Sequence, residues 1–477
     1  MIRRLPNPVV HGTWSQAWWD GKPEFTALFG QPPSARTSSA LTATLAKDGG
    51  WIRSLRDAPG DPVDPASVVV LAGQQPGLGG GPLLVPHKAA TAVAYARALQ
   101  SHIQRPVTPV FLLATQDHDS SEVDHLDLIN PSNGQIERIR CALQPQYEML
   151  ARSSWEEASF DIFKSKLRSI YGVNKGLAEG LWPSSPAPEH AALLLQQAFS
   201  GTGLRFVEAH QLRGPATAIL DRALAEPELL AEALQAGATL LNDCGFPSSF
   251  DPSDPRPLVL ESRNGRRKRV EAGDKEAQSR LADNPADFSP HAALRPIVQA
   301  ATLPVVAQVC GPSEILYLGQ VRPLHALFEL PAPQLVPRLE ATRVQPEEID
   351  LFDTDLRLPE SHGPLDNPLA QLLASLAKFR TAVTDLDSGL AARADRFAHR
   401  SERDARALAE APEWRGRSGR AQSRLRPRGQ SQDAVLSWLP EAFGPEAPPL
   451  WAEHIIGLSQ PFEPPAHILH AFTKEAP

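Results

Sequence analysis

The chain has 477 residues, with 47 Lys+Arg against 55 Asp+Glu, a formal net charge of −8 and a pI near 6.0. That length can bury a large core in two or three structural units, and the acidic balance argues against non-specific nucleic-acid binding, which depends on neutralising phosphates. Three scattered cysteines (Cys141, Cys244, Cys310) suit neither a disulfide framework nor a zinc site, and neither a signal peptide nor a run of the roughly 18 apolar residues that span a bilayer is evident, so a cytoplasmic protein is expected.

Residues 1–66 are Pro-rich and mixed, with a helix expected near Ser38–Arg56. Val68–Leu71 is a β-branched apolar run, read as a buried strand. A loop of glycines and amides follows: Gly73, Gln74, Gln75, Pro76, Gly77, Gly79, Gly80, Gly81, Pro82. Leu83–Gln100 has helical spacing, and Val107–Ala114 is a second apolar strand. It ends in Thr115-Gln116-Asp117-His118-Asp119, with Glu122 and His125 just beyond. Two strands joined by a helical crossover run parallel. Both loops therefore leave one carboxyl edge, where open α/β sheets bind ligands. The amide-glycine loop and the Asp-His-Asp cluster should face each other across a cleft.

Residues 140–200 read as mostly helical (Trp155–Ile170, Glu189–Phe199). Arg205–Glu208 is a short core strand and Pro215–Cys244 a long helical run. Pro257–Gly273 reads as a β-hairpin turning at Asn264-Gly265. Its Arg266–Arg269 run reads as a solvated strand edge in preference to a binding patch. Pro304–Val309 is another strand, leading through Gly311-Pro312 into a helix over Ser313–Phe328, and Leu335–Leu339 is the last core strand. From Asn367 to Glu410 a seam emerges: Leu369, Leu376, Val383, Leu390 and Phe397 every seventh residue, with Leu372, Phe379 and Leu386 at plus three. That is a coiled-coil pattern, broken by Arg393 and weakened by Gly389. The seam needs either a return helix, for which Glu402–Glu410 is too short unless Arg415–Arg424 continues it, or a second subunit; a homodimer is favoured.

The loop glycines permit close backbone approach to a ligand, and N–H groups opening the next helix favour an anion. The alternative for Gly73, Gly77 and Gly81 is a tight turn packing strand on helix. His87 and Lys88, on the first turns of that helix, could meet a carboxylate or phosphate, or lie on the surface. In the cluster Asp117, His118, Asp119, Glu122 and His125, a carboxylate beside an imidazole can orient it and raise its basicity. The same set could bind a divalent metal. Asp119 or Ser120 could instead cap a helix, with Glu122 as box partner. Gly311 and Glu314 lie at a third strand exit, with Tyr317 and Gln320 one and two turns on. Arg295 is a candidate carboxylate clamp or a structural ion pair. Nothing marks Cys310 as an activated nucleophile.

The blocks GQQPGL…GPL…HK, then PVF…A…DHD..E..H, then GPSE, in this order, resemble the bacillithiol biosynthesis cysteine-adding enzymes, BshC. Further matching blocks are FSPHAALRPIVQ, PVVAQVCGPSEILYLGQVRPLHALFELPAPQLVPR and RLRPRGQSQD. The resemblance implies a Rossmann-like parallel α/β core over 1–345, with connecting insertions near 140–200 and 245–290. It also implies an abbreviated helical coiled coil over 364–424, linked to dimer formation, and a C-terminal segment 425–477 that packs back on the core. It implies a ligase forming an amide between the cysteine carboxyl and the amine of glucosaminyl-malate, with ATP and Mg²⁺ as suspected co-substrate. His118 with Asp117 or Asp119 would serve as base or orienter, Gly73, Gln74 and Gln75 would hold an anion or sugar, and His87, Lys88 and Arg295 would answer negative charge. The chain departs from the family pattern at Gly80, Gln116, Cys310 and Ser313. Two other readings stay open: a metal-dependent hydrolase using the acidic-histidine cluster, and a non-catalytic dimeric binder of a small dicarboxylate.

Overall fold

The structure is a computed structural model and describes residues 2–6, 13–45, 49–57, 60, 62–130, 135–145, 148–171, 186–212, 214–344, 366–386, 391–409, 432–443, 450–464 and 466–470. Its centre is a five-stranded sheet: β1 (Val68–Gln74), β2 (Val107–Leu113), β3 (Arg205–Glu208), β4 (Val305–Cys310) and β5 (Gln334–Pro337). The spatial order is β5-β4-β1-β2-β3, and every neighbouring pair is parallel. This is the doubly wound order, and it reverses between β1 and β4.

The strand sequences explain why both faces are covered. Alternate residues of a strand face opposite sides. Val68, Val70 and Ala72 pack in one core with Phe111 and Leu113, whereas Val69 and Leu71 join Val110, Leu112 and Val207 in another. Such near-continuous apolar runs suit a parallel sheet buried on both sides. Helix α1 (Leu84–Gln100) crosses from β1 to β2 and is buried along most of its length.

Two expected helices are divided by residues that cannot continue them. Pro215–Cys244 is split into α2 (Gly214–Ala225) and α3 (Pro227–Asp243), because Pro227 has no N–H and disfavours helical backbone at Glu226. Ser38–Arg56 yields only Ala35–Thr42 and a 3-10 turn, Gly50–Ser54; Gly49 between them has φ 66. Helices α4 (Arg295–Thr302) and α5 (Pro312–Leu327) flank β4. The crossing of α3 and α5 is very close, since a Cβ on Gly237 would lie 2.0 Å from the Gln320 carbonyl oxygen. Gly237→Ala should therefore destabilise the protein by about 2 kcal/mol through overpacking, read as a lowered thermal midpoint.

A second sheet carries the hairpin. Val259–Arg263 pairs antiparallel with Arg266–Arg269 and with Phe288–Pro290, and Asn264 and Gly265 turn at φ 53 and 68. The C-terminal strand Ala466–His470 lies between Ile2–Pro6 and Glu340–Arg343, and Trp451–Leu458 packs on α1.

The seam over 367–410 forms two helices, Asp366–Leu386 and Ala391–Ala409, rather than one. They pack on each other, with the Phe379 and Phe397 rings 5.6 Å apart. Residues 387–390 lie between them in sequence. The return helix thus occupies positions assigned to the continued seam. Residues 345–365 and 410–431, including Arg415–Arg424, lie outside the described residues.

Candidate active site

The carboxyl ends of β1 and β4 diverge where the strand order reverses, and a cavity of about 520 Å³ opens there. That size is ordinary for a small-molecule site. Gly73, Gln74 and Gln75 line it from the exit of β1, Gln116, Asp117 and Glu122 from beyond β2, and Gly311, Ser313, Glu314 and Tyr317 from beyond β4. Arg295, first residue of α4, completes the wall.

Asp117 is the electrostatic centre. Its carboxylate lies 3.1 Å from Arg295 Nη2 and 4.0 Å from Arg267 Nη1. It accepts hydrogen bonds from Gln75 Nε2 at 3.1 Å and from the His118 backbone N–H at 2.8 Å. Burial alone would raise its pKa, but Arg295, Arg267 and the His118 backbone N–H outweigh that and hold it far below the usual carboxylate range. Glu122 behaves oppositely. Desolvation at the cavity lip pushes its carboxyl up, partly offset by donation from Gln75, and Asp119 and Asp117 raise it further.

Lys88 is buried and fully employed. Its Nζ donates to the Gly73 carbonyl at 3.0 Å and to Gln74 Oε1 at 2.8 Å, and lies 2.6 Å from Glu314 Oε2. An ammonium has three donors, so this one has none to spare for a ligand. Glu314 Oε2 also accepts from the Gly311 N–H at 2.7 Å. Lys88 therefore clamps the β1 exit to the β4 exit, and does not present the open cation expected from sequence.

Other expected residues, His118 among them, lie outside the cavity wall. The N–H groups of Gly77, Gly79, Gly80 and Gly81 are taken by Gln75 O, His190 Nε2, Gly77 O and Leu78 O, so this part of the loop is no anion cradle. Gly80 has φ 78, and a Cβ there would meet the buried Trp438 ring at 2.7 Å. The glycines admit the C-terminal segment instead. His87 is buried 3.8 Å from Asp433 beside Arg338, and burial lowers its pKa. Asp119 caps the short helix Ser120–Val123 through Ser121. His125 bonds Asp124 at 2.9 Å. Gln320 is buried, and its amide pins the backbone of Ser249 and Phe250. Among the described residues no group of three His, Cys, Asp or Glu side chains is placed to hold a metal ion. Cys310 is buried, which pushes its thiol up and makes it a poor nucleophile.

Two cations were missed from sequence. Arg338 lines the cavity and is ion-paired with Asp433. Arg267 is 4% exposed, contrary to the solvated edge expected for Arg266–Arg269. The hairpin's period of two was the available signal: Arg266 and Lys268 are exposed, and Arg267 between them points inward.

The family described as "Bacillithiol biosynthesis BshC, N-terminal Rossmann-like domain" matches residues 63–339, which is over half of the chain and contains all five sheet strands. The chain belongs to the BshC family. Curated relatives named "Putative cysteine ligase BshC" agree with this. The Shouchella clausii protein is 26% identical over 301 residues, covering 58% of this chain and 55% of the relative. The Koribacter versatilis protein is 28% identical over 366 residues, covering 69% and 66%. The matches thus span less than two thirds of these relatives' length. Of the four positions where the resemblance suggested a departure from the family pattern, Gln116 and Ser313 line the cavity, whereas Gly80 and Cys310 are packing positions. Among the described residues no helix is long and apolar enough to cross a membrane.

Proposed function

We propose that this chain is a cysteine ligase of bacillithiol biosynthesis, joining the cysteine carboxyl to the amine of glucosaminyl-malate. The observation that carries this reading is the Arg295–Asp117–Gln75 constellation at the switch point of a Rossmann-like sheet, in a chain of the BshC family. A carboxylate is a poor electrophile. ATP with Mg²⁺ activates it as an acyl-phosphate, releasing ADP, or as an acyl-adenylate, releasing pyrophosphate. The sugar amine then attacks the acyl carbon and expels phosphate or AMP. Its ammonium proton must leave first.

Within the cavity, Asp117 is too weak a base for that proton, because the two arginines stabilise its ionised form. Glu122, with its raised carboxyl, is the better acceptor. Arg295 is 27% exposed and can turn one edge of its guanidinium to a malate carboxylate while the other holds Asp117. Gln74 and Gln75 shape the floor.

The test is turnover of glucosaminyl-malate, cysteine and ATP-Mg²⁺, with the thiol product followed by mass spectrometry. Product formation is expected. Glucosaminyl-malate binding without product would replace the ligase with a dicarboxylate-binding protein. Arg295→Ala should raise KM for glucosaminyl-malate roughly 10- to 100-fold with little change in kcat, the effect of losing one charge-assisted contact.

A further inference from the structure

A carboxylate next to a histidine ordinarily accepts Nδ1–H and leaves Nε2 free as a base. Asp117 and His118 have the makings of that pair, with Asp117 Oδ1 3.6 Å from His118 Nδ1. Arg267 intervenes. Its Nη1 lies 3.0 Å from the same Nδ1. An arginine can only donate, so Nδ1 must be the acceptor and the ring proton must sit on Nε2.

The arginine is held for this contact. Nε donates to Ser289 Oγ at 2.7 Å, and Nη2 to the Pro290 carbonyl at 3.1 Å. Only 2% of its side chain is exposed. Burial, then Arg295, lower its pKa to about 9, opposed by Asp117 and Glu148, so it stays charged at neutral pH. The His118 side chain is 37% exposed, and its Nε2 has no hydrogen-bond partner among the described residues.

We infer that Arg267 is a positioning residue that fixes His118, which follows the cavity residue Asp117 without lining the wall itself, in the Nε2–H tautomer, making the exposed edge of its ring a hydrogen-bond donor and not a general base. The tautomer follows from these contacts whichever reaction the cavity supports. The hairpin thereby reaches the segment that follows β2, since it carries the group that sets the protonation of His118.

The test is the ring ¹⁵N spectrum of His118 in the full chain, with the signal assigned by its absence in His118→Gln. The wild-type protein should show a protonated Nε2 and an unprotonated Nδ1. Arg267→Met removes the competing donor, and the proton should move to Nδ1, facing Asp117. Arg267→Lys can still donate and should keep the wild-type tautomer. A protonated Nδ1 in the wild-type protein overturns the inference even if both Arg267 variants fail to fold, as does a tautomer unchanged in Arg267→Met. None of these readings requires turnover, so they stand apart from the ligase assay. Where turnover is observed, His118→Gln, which keeps a donor near the Nε2 position, should retain activity within about tenfold. A loss of roughly 10²- to 10⁴-fold would restore the base role.

Discussion

Asp117→Asn should destabilise the protein by roughly 3–5 kcal/mol and abolish measurable turnover. Breaking a buried ion pair leaves its partner uncompensated, and here two guanidinium groups, Arg295 and Arg267, lose the same counter-charge. An asparagine offers one accepting oxygen where the carboxylate offers two. Gln75 would also lose its acceptor at Oδ2. The pH dependence follows from the direction of the shift. Asp117 in the folded chain is depressed below its unfolded value of about 3.9. Its contribution is therefore complete above about pH 4 and declines only as pH falls from there toward the lower folded value. Urea unfolding of both proteins at pH 8, 5 and 3.5 should give a constant gap at the first two values and a narrower one at the third. Equal midpoints at pH 8 would remove Asp117 from the centre of the site.

The second large effect is expected for Lys88→Met, about 3 kcal/mol. Methionine fills the same channel, but Glu314 loses its ammonium partner and the Gly73 carbonyl and Gln74 Oε1 lose a donor. Adding Glu314→Gln should recover part of the loss. A double-mutant cycle should report a coupling of about 1–3 kcal/mol, as for residues in one ion-pair network. Additive single effects would mean that the two strand exits are not clamped by this pair. Turnover should fall in Lys88→Met because the β1 and β4 exits set the shape of the cavity, although Lys88 itself has no donor left for substrate.

Local sequence determined the scaffold. Each of the five sheet strands was legible, three as apolar runs and Arg205–Glu208 and Leu335–Leu339 as short core strands, and the order of strand, loop and helix required parallel pairing for β1 and β2. The switch-point cleft followed, with Gln75, Asp117, Glu122, Arg295 and Glu314 on its wall. These features depend on periodicity and on the handedness of a crossover, both properties of a short stretch of chain. The helical seam over 367–410 was legible in pattern but not in partner, because a heptad specifies an apolar face and does not name what covers it. The described residues pair Phe379 with Phe397 of the same chain.

Tertiary structure decided the charge states and the division of labour. Lys88 reads in sequence as a cation near a ligand loop, and only the approach of Glu314 from the other side of the switch point uses up its donors. The glycines at 77–81 read as a ligand cradle, and only the arrival of Trp438, hundreds of residues later, shows what they admit. Arg267 and His118 are 149 positions apart. Their hydrogen bond fixes a tautomer that the neighbouring Asp117 alone would have reversed. A side chain's rotamer and protonation depend on every group within a few ångströms. Local sequence specifies the element that carries such a group, and the packing of distant elements specifies what it meets.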